Sequence, residues 1–220
     1  MTANGIFQIL LFLGLLLLAV KPLGVYVYAA MEGQPTWLDR VFDPIERLIY
    51  RICGVDPTQE QHWTTYTVAM LLFNLAGLFL LYLLQRLQGV LPLNPQGLAA
   101  VPPDLAWNTA VSFTTNTNWQ NYSGESALSY LVQMAGLTFH NFVSAATGIA
   151  LAVALVRGFA RHCGKTIGNF WVDLVRCTVR ILLPISFVLA LIFPAPPTPR
   201  SFLRSRIASV ASPVSASGTS

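Results

Sequence analysis

DLAWNTAVSFTTNTNWQNYSGE, residues 104–125, is followed by SALSYLVQMAGLTFHNFVSAATGIALAVALV, residues 126–156. Asp104 can cap a short helix over residues 105–113, after which the chain becomes rich in Thr, Asn and Gly. The apolar run behind this loop is interrupted only by His140. A short helix, a polar loop and a long apolar helix in this order predict a loop that re-enters a membrane. Non-helical backbone is tolerated at membrane depth only where it is buried in protein or lines a wet cavity, so the loop is expected to have a function.

The composition of the whole chain also points to a membrane. Hydrophobic residues make up 54% of the 220 residues, charged residues only 10%, and the mean hydropathy is +0.57. One soluble core cannot bury so much apolar surface, whereas a helix of roughly 20 apolar residues spans a bilayer. We therefore predict an all-α integral membrane protein, in which one helix, pore-loop, helix repeat is flanked by further transmembrane helices. Transmembrane helices are expected at 1–30, 63–87, 126–156 and 170–194, and the pore helix with its selectivity loop at 104–125.

Residues 36–53 predict an amphipathic helix between the first two spans. Its apolar side chains recur at spacings of three and four, and charged residues lie between them. Two interpretations are open, because the helix could lie on the membrane surface or pack on its own subunit, and both would bury the same stripe. The apolar residues are Trp37, Leu38, Val41, Phe42, Ile45, Leu48, Ile49 and Ile52.

The distribution of Lys and Arg predicts how the chain is oriented. Positively charged loops tend to stay in the cytoplasm. Residues 157–180 hold five such side chains and residues 86–125 hold one. We therefore place residues 157–180 and 31–62 inside, with the amphipathic helix, and the N-terminus and the pore loop outside. The five cations are Arg157, Arg161, Lys165, Arg176 and Arg180.

Several other functions are not supported by the sequence. The net charge of +4 does not predict nucleic-acid binding, because the basic residues flank apolar runs and do not form a stripe with aromatic residues. Cys53, Cys163 and Cys177 have neither the spacing of a zinc site nor that of a disulfide framework. We find no Walker loop and no nucleophile with a base, so we expect no ATP site and no catalytic centre in this chain. His140 and Asn74 are expected to form hydrogen bonds between helices.

The loop at 114–125 offers neutral oxygen donors, with Glu125 at its edge. A monovalent cation such as potassium exchanges its water shell for carbonyl, hydroxyl and amide oxygens, whereas divalent ions recruit carboxylates. A short helix that points its carbonyl end at the loop would add a favourable negative potential. The same composition is also typical of an ordinary surface loop, so the residues alone leave both interpretations open.

Longer motifs resemble a known family. The sequence has PLNPQ at 92–96, AVSFTTNTNWQ at 110–120, SY at 129–130, QMAGLT at 133–138 and NF at 141–142, with KPLG at 21–24 and WVDL at 171–174. Together these motifs resemble the potassium-binding A subunit of the bacterial Kdp potassium-transporting ATPase, and the resemblance covers roughly residues 1–192.

The resemblance implies a channel-like subunit of the potassium-transporter superfamily, with four helix, pore-loop, helix repeats around one filter, of which this chain holds the first. By this likeness Asn116, Thr117 and Asn118 offer backbone carbonyl oxygens to a potassium ion, and Gln120 shapes the filter or its entrance. Potassium is then the transported ligand. The implied partners are a P-type subunit that hydrolyses ATP and small accessory subunits, in the bilayer of the bacterial inner membrane.

The resemblance is expected to end after Ile192, where the composition changes. Residues 195–220 are rich in Pro, Ser and Arg and are predicted to be disordered. We expect a frameshift near Phe193 that leaves a truncated transporter subunit. The alternative is a non-transporting membrane fragment with at most an assembly role, and a membrane-bound enzyme is a distant third.

Overall fold

The computed structural model describes residues 2–161 and 165–192, and the regular elements in this part of the chain are helices. This confirms the all-α fold class; His62 and Thr166 form an isolated bridge between two loops. The helices are α1 (Ala3–Met31), α2 (Asp39–Cys53), α3 (Trp63–Leu87), α4 (Pro103–Thr114), α5 (Gly124–Ala127), α6 (Phe139–Ala160), α7 (Phe170–Arg176) and α8 (Leu183–Ile192). Two π-helical segments, Val132–Thr138 and Cys177–Leu182, lead into α6 and connect α7 with α8.

Four helical stretches are long and apolar enough to cross a membrane, so the chain is an integral membrane protein. The stretches are Asn4–Met31, Trp63–Leu87, Val132–Ala160 and Phe170–Ile192. The third begins later than the expected residue 126, because extended backbone at Leu128 separates α5 from the helix that follows. Residues 193–194 of the predicted fourth helix and the predicted disordered tail at 195–220 lie outside the described residues.

The chain divides into two compact units, residues 1–183 and 184–220. Of the second unit the structure describes residues 184–192, which are helical. The packing described below belongs to the first unit.

The centre of the first unit is built on small side chains of α6. Ala146, Ala150 and Ala154 are buried, and this lets α3 and α7 approach the α6 backbone closely. The Tyr66 hydroxyl of α3 lies 3.1 Å from both the Ala150 carbonyl oxygen and Asp173 Oδ2, and it can donate to either. The three helices are therefore joined by packing and by buried polar contacts.

A buried arginine ties the end of α1 to α6 and α7. Arg157 Nη1 donates to Asp173 Oδ2 at 2.7 Å and Arg157 Nε donates to Glu32 Oε1 at 2.8 Å, while Nη2 donates to the Met31 carbonyl oxygen at 3.1 Å. Gly168 leaves room for the guanidinium, because a Cβ there would lie 2.4 Å from Arg157 Nη1. We call this set the Arg157 cluster.

The amphipathic helix α2 packs on the protein through its acidic face. Arg180 donates to Asp39 and Asp43 at 2.7 Å each and to both carboxylate oxygens of Glu46. The apolar stripe points the other way, and its exposed members are Val41, Ile45, Leu48 and Ile52. Leu38, Phe42 and Ile49 of the predicted stripe are half-buried, so the described residues cover one edge of the stripe and leave the rest exposed. The two interpretations, a membrane surface or the chain's own subunit, both stay predictions.

Candidate functional site

The pore helix α4 begins at Pro103, two residues earlier in the sequence than the expected start at Leu105. Pro102 occupies the N-cap position and Pro103 the first helical position, where a fixed φ favours the helix and a missing N–H costs nothing. The prediction that Asp104 caps this helix is wrong, because Asp104 lies inside the first turn. A carboxylate there still interacts favourably with the positive end of the helix dipole.

α4 packs lengthwise against α3. Ala106 and Ala110 are fully buried, and Phe113 and Leu81 belong to the same apolar cluster. The small side chains let the two helix axes come close, so that the pore helix lies beside a membrane-spanning helix along its whole length.

Ser112, in the last turn of α4, collects the backbone N–H groups of the loop. Its carbonyl oxygen accepts from Thr117 N at 2.9 Å and from Asn118 N at 3.3 Å, and its hydroxyl oxygen accepts from Trp119 N at 2.6 Å. Three consecutive amides thus converge on one residue of the helix. Hydrogen bonds to the last turn of α4 therefore hold the loop in its conformation.

The loop backbone is left-handed at two asparagines. Asn116 has φ 59° and Asn118 has φ 58°, and Asn is among the few residues besides Gly that adopt this region readily. The two left-handed residues flank Thr117, and the N–H groups of Thr117, Asn118 and Trp119 turn to one concave side. Here that side faces Ser112.

The carbonyl oxygens of the same peptides point the opposite way. In a planar trans peptide the N–H and C=O bonds are antiparallel, and the described peptide bonds are all trans. The amides of Thr117, Asn118 and Trp119 belong to the same peptides as the carbonyls of Asn116, Thr117 and Asn118. These three oxygens are therefore directed away from Ser112, and among the described residues no protein donor is bonded to them. Such a row of free carbonyls is able to replace the water around a cation.

The tip of the loop reaches half-way into the helical bundle. Ser144 donates to Asn116 Oδ1 at 3.2 Å, and Ser144 lies near the middle of the 29-residue span Val132–Ala160. Thr114 faces a cavity of about 190 Å³ beside Gly77, which is near the middle of α3. The loop is re-entrant, since its backbone lies at the depth of the centres of two spanning helices.

Gln120 lies on the return arm, a name we give to residues 119–125, which lead from the loop into α5. Its Nε2 is near Gly124, where a Cβ would be 3.5 Å away, and its Oε1 is buried without a hydrogen-bond partner in the described part of the chain. The structure therefore brings Asn116, Thr117 and Asn118 together as one row of oxygens and places the Gln120 side chain on the return arm.

The return arm is attached to α3 by a residue that sequence reasoning missed. Gln85 is fully buried, and its Nε2 donates to the Ala106 carbonyl oxygen of the pore helix at 3.2 Å. Tyr122 donates to Gln85 Oε1 at 2.9 Å, and its hydroxyl is 3.0 Å from Thr109 Oγ1. Gln85 therefore holds the start of the pore helix and the end of the loop at once.

Gln88, three residues further along, connects the end of α3 to the segments before α4 and after α5. Its Nε2 donates to the carbonyl oxygens of Ala99 and Ala127, and its Oε1 accepts from Ser129 N at 3.1 Å. The signal for both residues was present in the sequence, because glutamines three apart at the end of an apolar span are costly unless they are bonded inside the protein.

Hydrogen bonds between helices were expected for His140 and Asn74, and the structure shows one only for His140. His140 forms the predicted contact between helices, with Nε2 2.9 Å from the Gly77 carbonyl oxygen of α3. The prediction for Asn74 is wrong, because its side chain donates to Met70 in its own helix at 2.8 Å.

Glu125 supplies a negative charge beside the loop. Ser123 donates to Glu125 Oε2 at 2.6 Å, and this hydrogen bond lowers the pKa of the Glu125 carboxyl below its ordinary value. The side chain is exposed and ionised near neutral pH, so it can attract cations toward the loop.

Comparison with known proteins places the chain among relatives of one kind. The family model described as potassium-transporting ATPase A subunit matches residues 10–215. The match runs past Ile192, so the expected boundary of the resemblance at that residue is corrected. Residues 193–215 lie outside the described part of the structure.

Individual relatives give the same result. A potassium-transporting ATPase potassium-binding subunit from Mesorhizobium japonicum is 63% identical over 193 residues, which cover 88% of this chain and 34% of the relative. The subunit of the same name from Rhodospirillum centenum is 61% identical over 202 residues, covering 92% and 35%. That from Methylococcus capsulatus is 59% identical over 192 residues, covering 87% and 32%.

This chain therefore spans about a third of the length of the curated relatives it matches. The family match covers most of the chain and includes the pore helix, the loop and both helices that hold them. The chain belongs to the family of potassium-transporting ATPase A subunits.

Proposed function

We propose that this chain supplies a potassium-binding loop to an ATP-driven potassium uptake complex. The observation that carries the proposal is the row of carbonyl oxygens at Asn116, Thr117 and Asn118, directed away from Ser112. Potassium is large and weakly hydrated, so rings of such oxygens can replace its water shell. The relatives are named as potassium-binding subunits.

The surroundings of the loop favour a cation. The C-terminal end of α4 carries the negative end of a helix dipole next to the row of oxygens. Glu125 adds an exposed negative charge on the return arm. Gln120, on the return arm, is proposed to shape the filter or its entrance through its buried amide oxygen.

The proposed direction of transport is from the outside inward. The Lys and Arg distribution favours an outside position for residues 86–125 and an inside position for residues 157–180, which puts the N-terminus outside. In this orientation the loop receives potassium from the external medium. The proposed setting is the bacterial inner membrane, in complex with a P-type subunit that hydrolyses ATP and with small accessory subunits.

The test is a chimera, because the relatives are about three times as long as this chain. Residues 10–192 would replace the matching segment of the Mesorhizobium japonicum relative, with its partner subunits, in a bacterium that lacks other potassium uptake. We expect uptake at limiting potassium that exceeds uptake of sodium. A chimera that inserts and assembles but transports neither ion would contradict the proposal.

A Gln120→Ala variant of the same chimera tests the role of the return arm. We expect a higher half-saturating potassium concentration with unchanged amounts of protein in the membrane. The same substitution would leave potassium affinity unchanged if Gln120 has no part in the filter.

A second candidate function is an assembly role without transport. The observation that favours it is that the chain spans only about a third of its relatives. If the 220 residues act by themselves in this way, deletion of the gene leaves growth on limiting potassium unchanged, and the chain alone does not restore uptake when it is expressed with the ATPase subunits.

A further inference from the structure

The side of α2 that faces away from Arg180 carries an exposed apolar surface. Val41, Ile45, Leu48 and Ile52 form one exposed apolar stripe, and Ile52 is 75% exposed. Trp37, just before the helix, is 83% exposed. An apolar stripe of this length in contact with water is unfavourable, so something covers it.

The Arg180 contacts fix which side of α2 is outward. Arg180 and Glu46 are both buried, and Arg180 is also paired with Asp39 and Asp43. Rolling the helix to bury its apolar stripe would leave a buried arginine and a buried glutamate without partners, which is strongly unfavourable. α2 therefore presents the stripe permanently.

The neighbouring spans determine the depth at which α2 lies relative to the membrane. α1 ends at Met31 and α3 begins at Trp63, so short connections hold α2 near the ends of two membrane-spanning helices on one side of the membrane. The stripe is consequently held close to the boundary between acyl chains and headgroups, where amphipathic helices bury their apolar faces.

Three arginines lie on one flank of the same helix. Arg40, Arg47 and Arg51 are seven and four residues apart, which puts them on one side, between the acidic docked face and the apolar stripe. All three are exposed and line an open groove of about 720 Å³. Asp39 and Asp43 also line this groove, and both carboxylates are paired with Arg180. Arg47 has an exposed ion pair with Asp43 at 3.4 Å, and neither Arg40 nor Arg51 has an ion pair within the described ranges.

We propose that α2 is a binding surface for anionic phospholipids. The apolar stripe enters the acyl-chain boundary of the leaflet, and Arg40, Arg47 and Arg51 bind the phosphate groups of anionic lipids there. The complementary charges select this occupant, because guanidinium groups bind phosphate through paired hydrogen bonds and basic residues near a membrane concentrate anionic lipids. This inference is independent of the proposed potassium function.

The experiment uses the full chain in nanodiscs of phosphatidylcholine, alone or mixed with phosphatidylglycerol. An environment-sensitive fluorophore is attached at Leu48→Cys, in a chain whose three native cysteines are replaced, and a control fluorophore at Thr58→Cys in the exposed loop after α2. Quenching by lipids that carry a spin label near the headgroup is compared with quenching by iodide in water.

We expect the fluorophore at residue 48 to be quenched by the labelled lipid and shielded from iodide, and the fluorophore at residue 58 to show the reverse. Spin-labelled phosphatidylglycerol should quench residue 48 more strongly than spin-labelled phosphatidylcholine, with local enrichment of up to roughly fivefold per arginine. The triple substitution R40Q/R47Q/R51Q should remove this preference. Lys165→Gln, at an exposed cation outside α2, should leave it unchanged.

Three results would overturn the proposal. Iodide quenching at residue 48 equal to that at residue 58 would show that the stripe faces water. Shielding from both quenchers would show that protein covers it. A phosphatidylglycerol preference that survives the triple substitution would show that the arginines do not bind the lipid. Circular dichroism of the triple variant checks that the helices are retained.

Discussion

The loop and the charged clusters of this protein are held in place by different chemistry. Neutral groups hold the loop, through Ser112, Gln85 and Tyr122. Ion pairs hold the helix ends, in the Arg157 cluster and between Arg180 and α2. A buried charge against the row of oxygens would trap or repel the ion, whereas a neutral scaffold leaves the local field to the carbonyl oxygens and to the solvent-exposed Glu125. The buried charges of the described residues therefore join helices, whereas the groups that position the loop are neutral.

The largest expected effect comes from breaking the Arg157 cluster. Arg157→Leu leaves Asp173 buried without its cation, which should lower the free energy of unfolding by about 3–5 kcal/mol. The measurement is unfolding of the detergent-solubilised chain by heat or SDS, followed by circular dichroism. Arg161→Leu is the matched control, because its ion pair with Glu60 is exposed and should contribute less than about 1 kcal/mol. Equal losses in the two variants would contradict the assigned role of burial.

A smaller effect is expected from the neutral scaffold. Tyr122→Phe removes the hydroxyl that bonds Gln85 Oε1, so a buried amide oxygen loses its donor. We expect a loss of about 1–3 kcal/mol in unfolding free energy. In the chimera the half-saturating potassium concentration should rise. Tyr130→Phe, at an exposed tyrosine outside this network, should change neither quantity. An unaltered potassium affinity in Tyr122→Phe would show that the network stabilises the fold without positioning the loop.

The backbone of the loop can be tested separately from its side chains. Asn118→Gly keeps the left-handed conformation accessible, whereas Asn118→Ala makes it costlier by about 1–2 kcal/mol. We therefore expect potassium uptake by the chimera to be retained in the glycine variant and weakened by roughly fivefold or more in the alanine variant. If both variants lose uptake equally, the Asn118 side chain matters more than the direction of its carbonyl.

The smallest expected effect concerns the exposed carboxylate of Glu60 and the dependence of the unfolding free energy on pH. Thr166 and Arg161 donate to Glu60 and lower its pKa below the ordinary 4.5. A carboxyl whose pKa is lower in the folded state contributes stability above its unfolded pKa, and this is lost as pH falls through the folded pKa. Glu60→Gln should therefore lower stability slightly at neutral pH and reduce its loss below about pH 4.5. Unfolding curves of the wild type and of Glu60→Gln at neutral pH and below about pH 4.5 measure this. An equal loss of unfolding free energy in acid for the two proteins would contradict the role given to Glu60.

The sequence could predict the spans and the loop because each is a local pattern. Uncharged apolar runs identify a spanning helix without further information, and the Thr and Asn-rich segment between two such runs marks the loop. The helix start at Pro103 was missed because Asp104 was given the cap, although two prolines before it already set the backbone. The break at Leu128 left no comparable local signal.

The contacts that could not be predicted are distant in the chain. The acidic face of α2 is paired with Arg180, which lies 134 residues beyond Glu46. The periodicity of α2 could therefore predict the apolar stripe, but not which side of the helix packs on the protein. Gln85 was counted as part of an apolar span, and its partner Tyr122 lies 37 residues further along. For the candidate ligands, the sequence named Asn116, Thr117 and Asn118, and the free direction of their carbonyls depends on the Ser112 hydrogen bonds, which required the fold.

The attachment of α1 also has a consequence for biosynthesis. α1 is synthesised before α6 and α7, so Glu32 must wait for Arg157, which is 125 residues away, and Met31 for Arg176, which is 145 residues away. No residue in the most apolar 18-residue window of α1 is buried, so little else holds this helix until those arginines are made. α1 thus enters the membrane before the residues that attach it to the bundle are made, and it must tolerate lipid on all sides until then.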